Sequence, residues 1–503
     1  MSIISILHAE HDEVLLVLAT ITKPWVIRAV LRMRPLSGPE ESCVVRQVRV
    51  RGAIAIIAVV MGLFLSWGGS SAPAQVEAEA VSQPSLRELV ETYYRCGDSK
   101  GRSQAASAIV SAAEGDIDKV ASELPNVHLW SDQPEGGVWT IPLPSSESVE
   151  VTFRLPPDYE PVRAFPLLVV MPKPGETPQS ALNAANLALG SACAPVVMIA
   201  PNRTIGGMFH ERTPAANDLP ALLREIRKHV HVDADSVFLF GTGAGGDAAW
   251  MAAIMYSFEF VGLVAVDSFP RVPYPEQTYT LLLPNLNELS VLSVWNAGGA
   301  DGSSDVSPVA AFNRAIVDFA KRTSLPIVGV ELPGAANTSV QLPEEETEAI
   351  LDGRRSGVRS QVQHWFRYRG QGDCGWIRAT EIAGDVWEDD QLSIVPAPTT
   401  DRDRFITDTI AEKSAFIGGR IDGQNITIET RRCGGVELRL APGQADFTKP
   451  IIIVCNGRKR FEGLIRPSVA DLLESAYEDW DFQHPVYARK TFAIRTDSPF
   501  EGP

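Results

Sequence analysis

The run VFLFGTGAGGDAAWMAA, residues 237–253, sets four strand-forming residues directly before a glycine-rich turn and a helix-forming segment. A chain passes from strand to helix that abruptly only where its backbone can reverse and approach its neighbours closely, and glycine supplies both properties. Gly241, Gly243, Gly245 and Gly246 therefore commit this stretch to a tight strand-turn-helix junction. From Val149 onward the surroundings agree. Short β-branched runs (VEVTFRL, PLLVV at 166–170, VVMIA at 196–200, VFLF at 237–240, VGLVAV, VLSVW at 291–295 and PIVGVEL at 326–332) alternate with helical patterns. The clearest helix is DLPALLREIRKHV, in which Asp218 is a candidate cap, Pro220 suits the first turn, and Leu219, Leu222, Leu223, Ile226 and Val230 form one apolar face. Alternation of this kind predicts an α/β domain over 146–350 with a mainly parallel, doubly wound sheet. Its functional groups are expected at the carboxyl ends of the strands.

Two chemistries use a glycine-rich strand-helix turn. Gly241, Gly243 and Gly246 satisfy the G-x-G-x-x-G spacing of a dinucleotide loop, but that loop follows the first strand of its domain, and here about 75 residues of α/β sequence come before it. The other use is G-x-S-x-G, which holds a serine on a strained turn above the sheet. The run VTFRLPPDYEPVRAFPLLVVMPKPG, then VVMIAPNR, then LLREIRKHVHVDADSVFLFGTGAGGDAAW, resembles the secreted esterase branch of the α/β hydrolases, the feruloyl-esterase-like and polyhydroxybutyrate-depolymerase-like proteins. The resemblance covers about residues 149–350. It implies an α/β-hydrolase fold and a Ser, acid, His order of catalytic residues.

The residues at those places depart from the pattern. Gly243 stands where the nucleophilic serine belongs, Asp301 in NAGGADGSS matches the acid, and Asn337 in LPGAANTSV falls where the histidine is expected. No histidine occurs between His231 and His364. An asparagine side chain cannot take up a proton near neutral pH, so the general base is lost with the nucleophile. The oxyanion-hole region, implied at Met171, Pro172 and Ala244, is also altered: Val170-Met171-Pro172-Lys173-Pro174-Gly175 contains two prolines, which have no N–H to offer. Of the side chains that could substitute, Thr242 precedes the apex, Asp247 opens the helix, and His210 in MFHERT reads as a loop histidine.

Ahead of this domain, Arg46, Arg49 and Arg51 precede an apolar run of about 15 residues and then Ala72-Pro73-Ala74, the three parts of a secretory signal peptide. A retained anchor over 51–70 is the alternative; in either case export follows from the positive-inside rule. Residues 1–50 read as an N-terminal extension in front of the signal at 51–74. Residues 75–145 read as a helical module, from SLRELVETYY and a second pattern over Ala106 to Leu124. The whole chain carries a net charge of −17, and without residues 1–74 it carries −19 and five cysteines. Such acidity excludes a general nucleic-acid binder, whose affinity rests on Lys and Arg. An odd thiol count argues against a disulfide framework, with a Cys374–Cys433 pair left open, and no Cys/His spacing marks a metal site.

Residues 351–503 read as a β-rich domain with a late helix over 468–480 and a type I′ hairpin at Asn456-Gly457. They resemble the accessory domain of secreted hydrolase-like proteins of planctomycete-type bacteria. In QHWFRYRGQGDCGW, Trp365, Tyr368 and Trp376 among arginines are candidates for stacking on sugars or bases, although VQHWFRYR also fits a strand with one buried face. The expected protein is thus an exported, degenerate hydrolase homologue. It would bind a polymer, an ester or an envelope partner without cofactor or nucleic acid, and touch the membrane only through an uncleaved N-terminal segment. An active esterase or peptidase with a rearranged site is the competing expectation.

Overall fold

The computed structural model describes residues 3–8, 14–22, 25–33, 84–130, 137–145, 148–205, 216–272, 275–298, 307–335, 342–355, 357, 359–384 and 401–494. The chain divides into a unit spanning Met1–Val81 and a second spanning Ser82–Pro503. In the first, β1 (Ile3–His8), β2 (Val14–Thr22) and β3 (Trp25–Met33) form an antiparallel meander, with Thr22 paired to Trp25. These strands lie inside the stretch read as an extension, and their aliphatic, β-branched composition accounts for them. The expected signal peptide at 51–74 lies outside the described residues.

The second unit opens with three helices, α1 (Leu86–Arg95), α2 (Ser99–Ala112) and α3 (Ile117–Glu123). Ser85 and Glu88 close a capping box on α1. The single helix expected over 106–124 is broken, because Glu114 and Gly115 both take positive φ and Asp116 then caps α3. These helices do not make a core by themselves. Val90, Tyr93, Tyr94 and Ile109 pack on Leu472, Leu473, Trp480 and Phe482 from the far end of the chain. Tyr93 Oη donates to Glu474 at 2.8 Å and Tyr487 Oη to Asp118 at 2.6 Å.

The central sheet contains β4 (Val138–Pro142), β5 (Ser148–Arg154), β6 (Phe165–Met171), β7 (Val197–Pro201), β8 (Val232–Thr242), β9 (Gly262–Val266), β10 (Ser290–Gly298) and β11 (Ile327–Ala335). Their spatial order is β11-β10-β9-β8-β6-β7-β5-β4, and β5 alone runs against the rest. β4 lies within the region read as helical and instead forms the sheet edge. Side chains alternate between faces: Leu167, Val169, Leu239 and Leu263 meet α5 (Asp218–His229), α6 (Ala244–Met255) and α8 (Pro308–Thr323). Leu168, Val170, Phe240 and Val264 meet α4 (Pro178–Leu189) and α9 (Glu344–Leu351). Helix α7 (Pro275–Leu282) precedes β10. This is the α/β-hydrolase fold with a β-rich region attached. Asp218 does not cap α5; Asn217 occupies that place, and the Asp218 carboxylate accepts from Ser145 N and Oγ at 3.1 and 2.7 Å.

The β-rich region consists of β12 (Gln361–Phe366), β13 (Asp373–Cys374), β14 (Ile377–Ile382), α10 (Arg402–Lys413), β15 (Ala415–Asp422), β16 (Asn425–Arg431), β17 (Cys433–Leu440), β18 (Ile451–Cys455), β19 (Arg458–Gly463), α11 (Val469–Asp479) and β20 (Ala488–Ala493). Two sheets, β12-β15-β16-β18-β19 and β13-β14-β17-β20, share one core. Asn456 and Gly457 both have positive φ, as the type I′ turn requires. Cys374 and Cys433 are free and buried, so the pair left open is not formed.

The β-rich region docks on the amino edge of the central sheet. Two histidines lie in that contact. His364 is fully buried between Met255 O (3.2 Å from Nε2) and Ser257 Oγ (3.4 Å from Nδ1), and burial depresses its pKa to about 4 although the carbonyl opposes this. His484 sits between Asp235 Oδ1 (3.0 Å) and Asp481 Oδ2 (2.9 Å). Burial works against its charge, yet the two carboxylates outweigh it and lift the pKa to about 9. Relative to an unfolded value of 6.5, the His484 contribution is complete below that pH and is lost as pH rises through 9. The His364 penalty has the opposite sense, growing as pH falls from 6.5 toward 4. Urea unfolding followed across pH should therefore show a maximum near 6.5. His484→Gln should flatten the alkaline limb by about 1–2 kcal/mol, discounted for a side chain one-third exposed.

Candidate functional site

At the carboxyl edge β8 delivers the chain into α6 through Gly243, whose φ of 53° and ψ of −127° hold the turn in a conformation reserved for glycine or for a strained residue. The turn is closed by Gly243 N donating to Val266 O at 2.8 Å. Its neighbours are glycines for a different reason. A Cβ on Gly245 would stand 2.2 Å from Met171 O, one on Gly241 2.4 Å from Gly245 O, and one on Gly246 2.3 Å from Ser268 Oγ. At Gly243 there is room. A Cβ there meets only the Lys173 side chain, with Cε at 3.5 Å, so the alkyl chain of Lys173 covers the apex where a nucleophile would project.

The oxyanion-hole region is equally altered. Met171 ends β6 and Pro172 is buried. Pro172 and Pro174 have no N–H, and Lys173 N donates to Glu176 Oε2 at 3.0 Å. A carboxylate thus occupies the loop donor, and its charge would oppose a developing oxyanion. Ala244, exposed at the first position of α6, retains an N–H with no helical carbonyl upstream to accept it.

Two carboxylates stand at this edge, and of these Asp267 was not singled out in the sequence. Asp267 follows β9 with φ at 46°, unusual for a residue with a side chain, and accepts from Asn296 N and Nδ2 at 2.8 and 2.9 Å. Asp247 accepts from Phe269 N at 3.1 Å and from Arg271 Nε; burial raises its pKa in spite of both donors. Its two oxygens tie the loop after β9 to α6, which leaves it no role as a substitute nucleophile. A strand-ending VAVDS was the available signal for Asp267, but its meaning depends on Asn296, which only the sheet register brings alongside. Asp301, Asn337 and His210 lie outside the described residues.

The aromatic candidates are not displayed together. Tyr368 and Trp376 are buried, and Trp365 is half-buried against Phe416 with ring centroids 4.8 Å apart. β12 buries Val362, His364 and Phe366 on one face, the alternation of a half-buried strand. Among the described residues no group of three His, Cys, Asp or Glu side chains is placed to hold a metal ion, and no helix is long and apolar enough to cross a membrane.

No family model matches the chain, and no curated protein matches it. Several solved structures are similar at low identity. A thermostable esterase is 16% identical over 43% of this chain, with a TM-score of 0.33, and this chain spans 63% of that esterase's length. An S-formylglutathione hydrolase from Staphylococcus aureus is 12% identical over 40% of this chain and 91% of its own, at a TM-score of 0.32. A feruloyl esterase module from Clostridium thermocellum is 12% identical over 43% and 86%, also at 0.32.

Proposed function

We propose that this protein is a catalytically degenerate α/β hydrolase that binds a ligand at the carboxyl edge without cleaving it. The observation that carries the reading is the elbow itself: a glycine at φ 53°, with the Lys173 alkyl chain across its apex. Asn337 at the histidine place and Glu176 on the loop donor support it. A ligand here would meet the Lys173 side chain and the N-terminal turn of α6, a combination suited to a carboxyl or ester oxygen. A polymer, an ester-bearing molecule or an envelope partner fits that description. Export is part of the proposal, supported by Arg46, Arg49, Arg51 and the apolar run behind them.

Loss of a nucleophile or base alone lowers turnover about 10⁶-fold in a worked protease case, and further losses add little. The purified chain should accordingly show no covalent labelling by a fluorophosphonate probe and no hydrolysis of p-nitrophenyl acetate above buffer. Gly243→Ser should fold, at a cost of about 1–2 kcal/mol for a side chain at positive φ, and remain unlabelled because no base was restored. Probe labelling of the unaltered chain, mapped to a serine or threonine, would sink the reading in favour of an esterase or peptidase with a rearranged site.

A further inference from the structure

The amino edge of the sheet holds a cavity of 170 Å³ whose lining shares no residue with the elbow at the carboxyl edge. Asp235, beside this cavity, and Gly243 are separated by eight residues of β8, about 25 Å of strand. The wall is assembled from distant parts of the chain: Arg227 and Phe258 from the α/β domain, Trp376 and Arg439 from the β-rich sheets, and Asp481 and His484 from the segment after α11.

Buried N–H groups are almost always paired, yet three on this wall are not. Arg227 Nε, Arg439 Nε and Trp376 Nε1 have no acceptor, and the three residues are 6%, 7% and 5% exposed. Other buried N–H groups, Arg224 Nε and Trp250 Nε1 among them, also lack an acceptor, but these three meet on one wall. Arg227 Nη1 donates to Asp479 O and Nη2 to Glu259 Oε2, both at 3.2 Å, and Arg439 Nη2 donates to Ser475 Oγ at 3.1 Å and to Asp479. None of the wall carboxylates Glu259, Asp373, Asp479 and Asp481 leaves a buried oxygen without a donor. Asp235 Oδ1, beside the cavity, faces His484 Nε2 at 3.0 Å, so the arginine and tryptophan donors are what an incoming acceptor would meet. Arg355 adds a further half-buried guanidinium, while Phe258, Trp376 and Val486 give the same wall an apolar side.

We propose that this cavity binds a small organic carboxylate, its oxygens taking the unpaired donors of Arg227, Arg439 and Trp376 and its apolar body resting on Phe258 and Val486. A cavity lined by apolar side chains with a few convergent polar groups is the usual form of a small-molecule site. Water is the competing occupant, since a polar space of this size admits several molecules. Binding here is independent of what the carboxyl edge does.

The test is calorimetric titration of the full chain with benzoate, beside benzamide, which keeps the shape without the charge, and inorganic phosphate, which keeps charge without the apolar body. Benzoate should bind saturably and raise the melting temperature with concentration, with benzamide and phosphate weaker by about tenfold or more. Trp376→Phe, which removes the N–H and keeps a ring, and Arg355→Ala should each weaken benzoate about tenfold. Absence of saturable benzoate binding up to about 10 mM would show a water-filled cavity only and overturn the proposal. Equal affinity for benzamide or phosphate, or no effect of Trp376→Phe, would overturn it too.

Discussion

Gly245→Ala is expected to destabilise the second unit by about 4 kcal/mol, seen as a large fall in the urea midpoint with little change in slope. The new Cβ would lie 2.2 Å from Met171 O and 3.1 Å from Pro172 C, a collision with backbone that no rotamer change relieves. Helix α6 cannot retreat either. Every residue of it from Gly245 to Met255 is buried, Trp250 completely, so moving the helix opens the core on its far side. Two comparisons give the number meaning. Gly243→Ala has only positive φ and an ordinary contact with Lys173 to overcome, about 1–2 kcal/mol. Gly137→Ala meets nothing within 4 Å and should be nearly neutral. If Gly245→Ala proved no worse than Gly243→Ala, the close approach of β6 and α6 would be wrong.

Arg439→Met should cost about 3 kcal/mol at neutral pH, with most of the loss recovered in Arg439→Met/Asp479→Leu. Arg439 is buried with Nη2 on Asp479 and Nη1 3.7 Å from Asp373, and Arg378 reaches Asp479 at 3.3 Å. Burial works against the Asp479 charge, but Arg439 and Arg378 outweigh it and hold the carboxyl below its usual range. A depressed carboxyl contributes stability above its unfolded value of 3.8 and loses it as pH falls through the folded value. Without Arg439 that contribution disappears, so the cost should hold from neutral pH down to the unfolded value of 3.8 and shrink only as pH falls below it. A cost independent of pH would assign the arginine to packing alone. Replacing both partners removes the stranded charge, which is why the double variant should recover.

The parts of this molecule written in local pattern were legible without coordinates. Strand runs such as PLLVV and VLSVW became β6 and β10, the apolar face of DLPALLREIRKHV became the buried side of α5, and Asn456-Gly457 turned as a hairpin. Each depends on residues a few positions apart, where side-chain direction follows from backbone period alone. Errors arose where a residue had a choice of partner. Asp218 was free to cap its own helix but bonds Ser145, 73 residues away, and the break at Glu114-Gly115 interrupts an otherwise helical period. The local pattern marks α1 to α3 as a helical module, yet Tyr93 and Tyr94 complete their packing against α11, some 380 residues on.

By itself the sequence determined that a strand meets a helix at Gly241 to Gly246 and that no hydroxyl stands at its apex, because backbone freedom and side-chain identity are properties of the residue. Only the tertiary structure decided that Lys173 lies over that apex and that Trp376 lines a cavity beside Arg227 and Arg439. Those are relations among groups far apart in the chain. They follow from how eight strands and two smaller sheets are stacked, and periodicity carries no information about that.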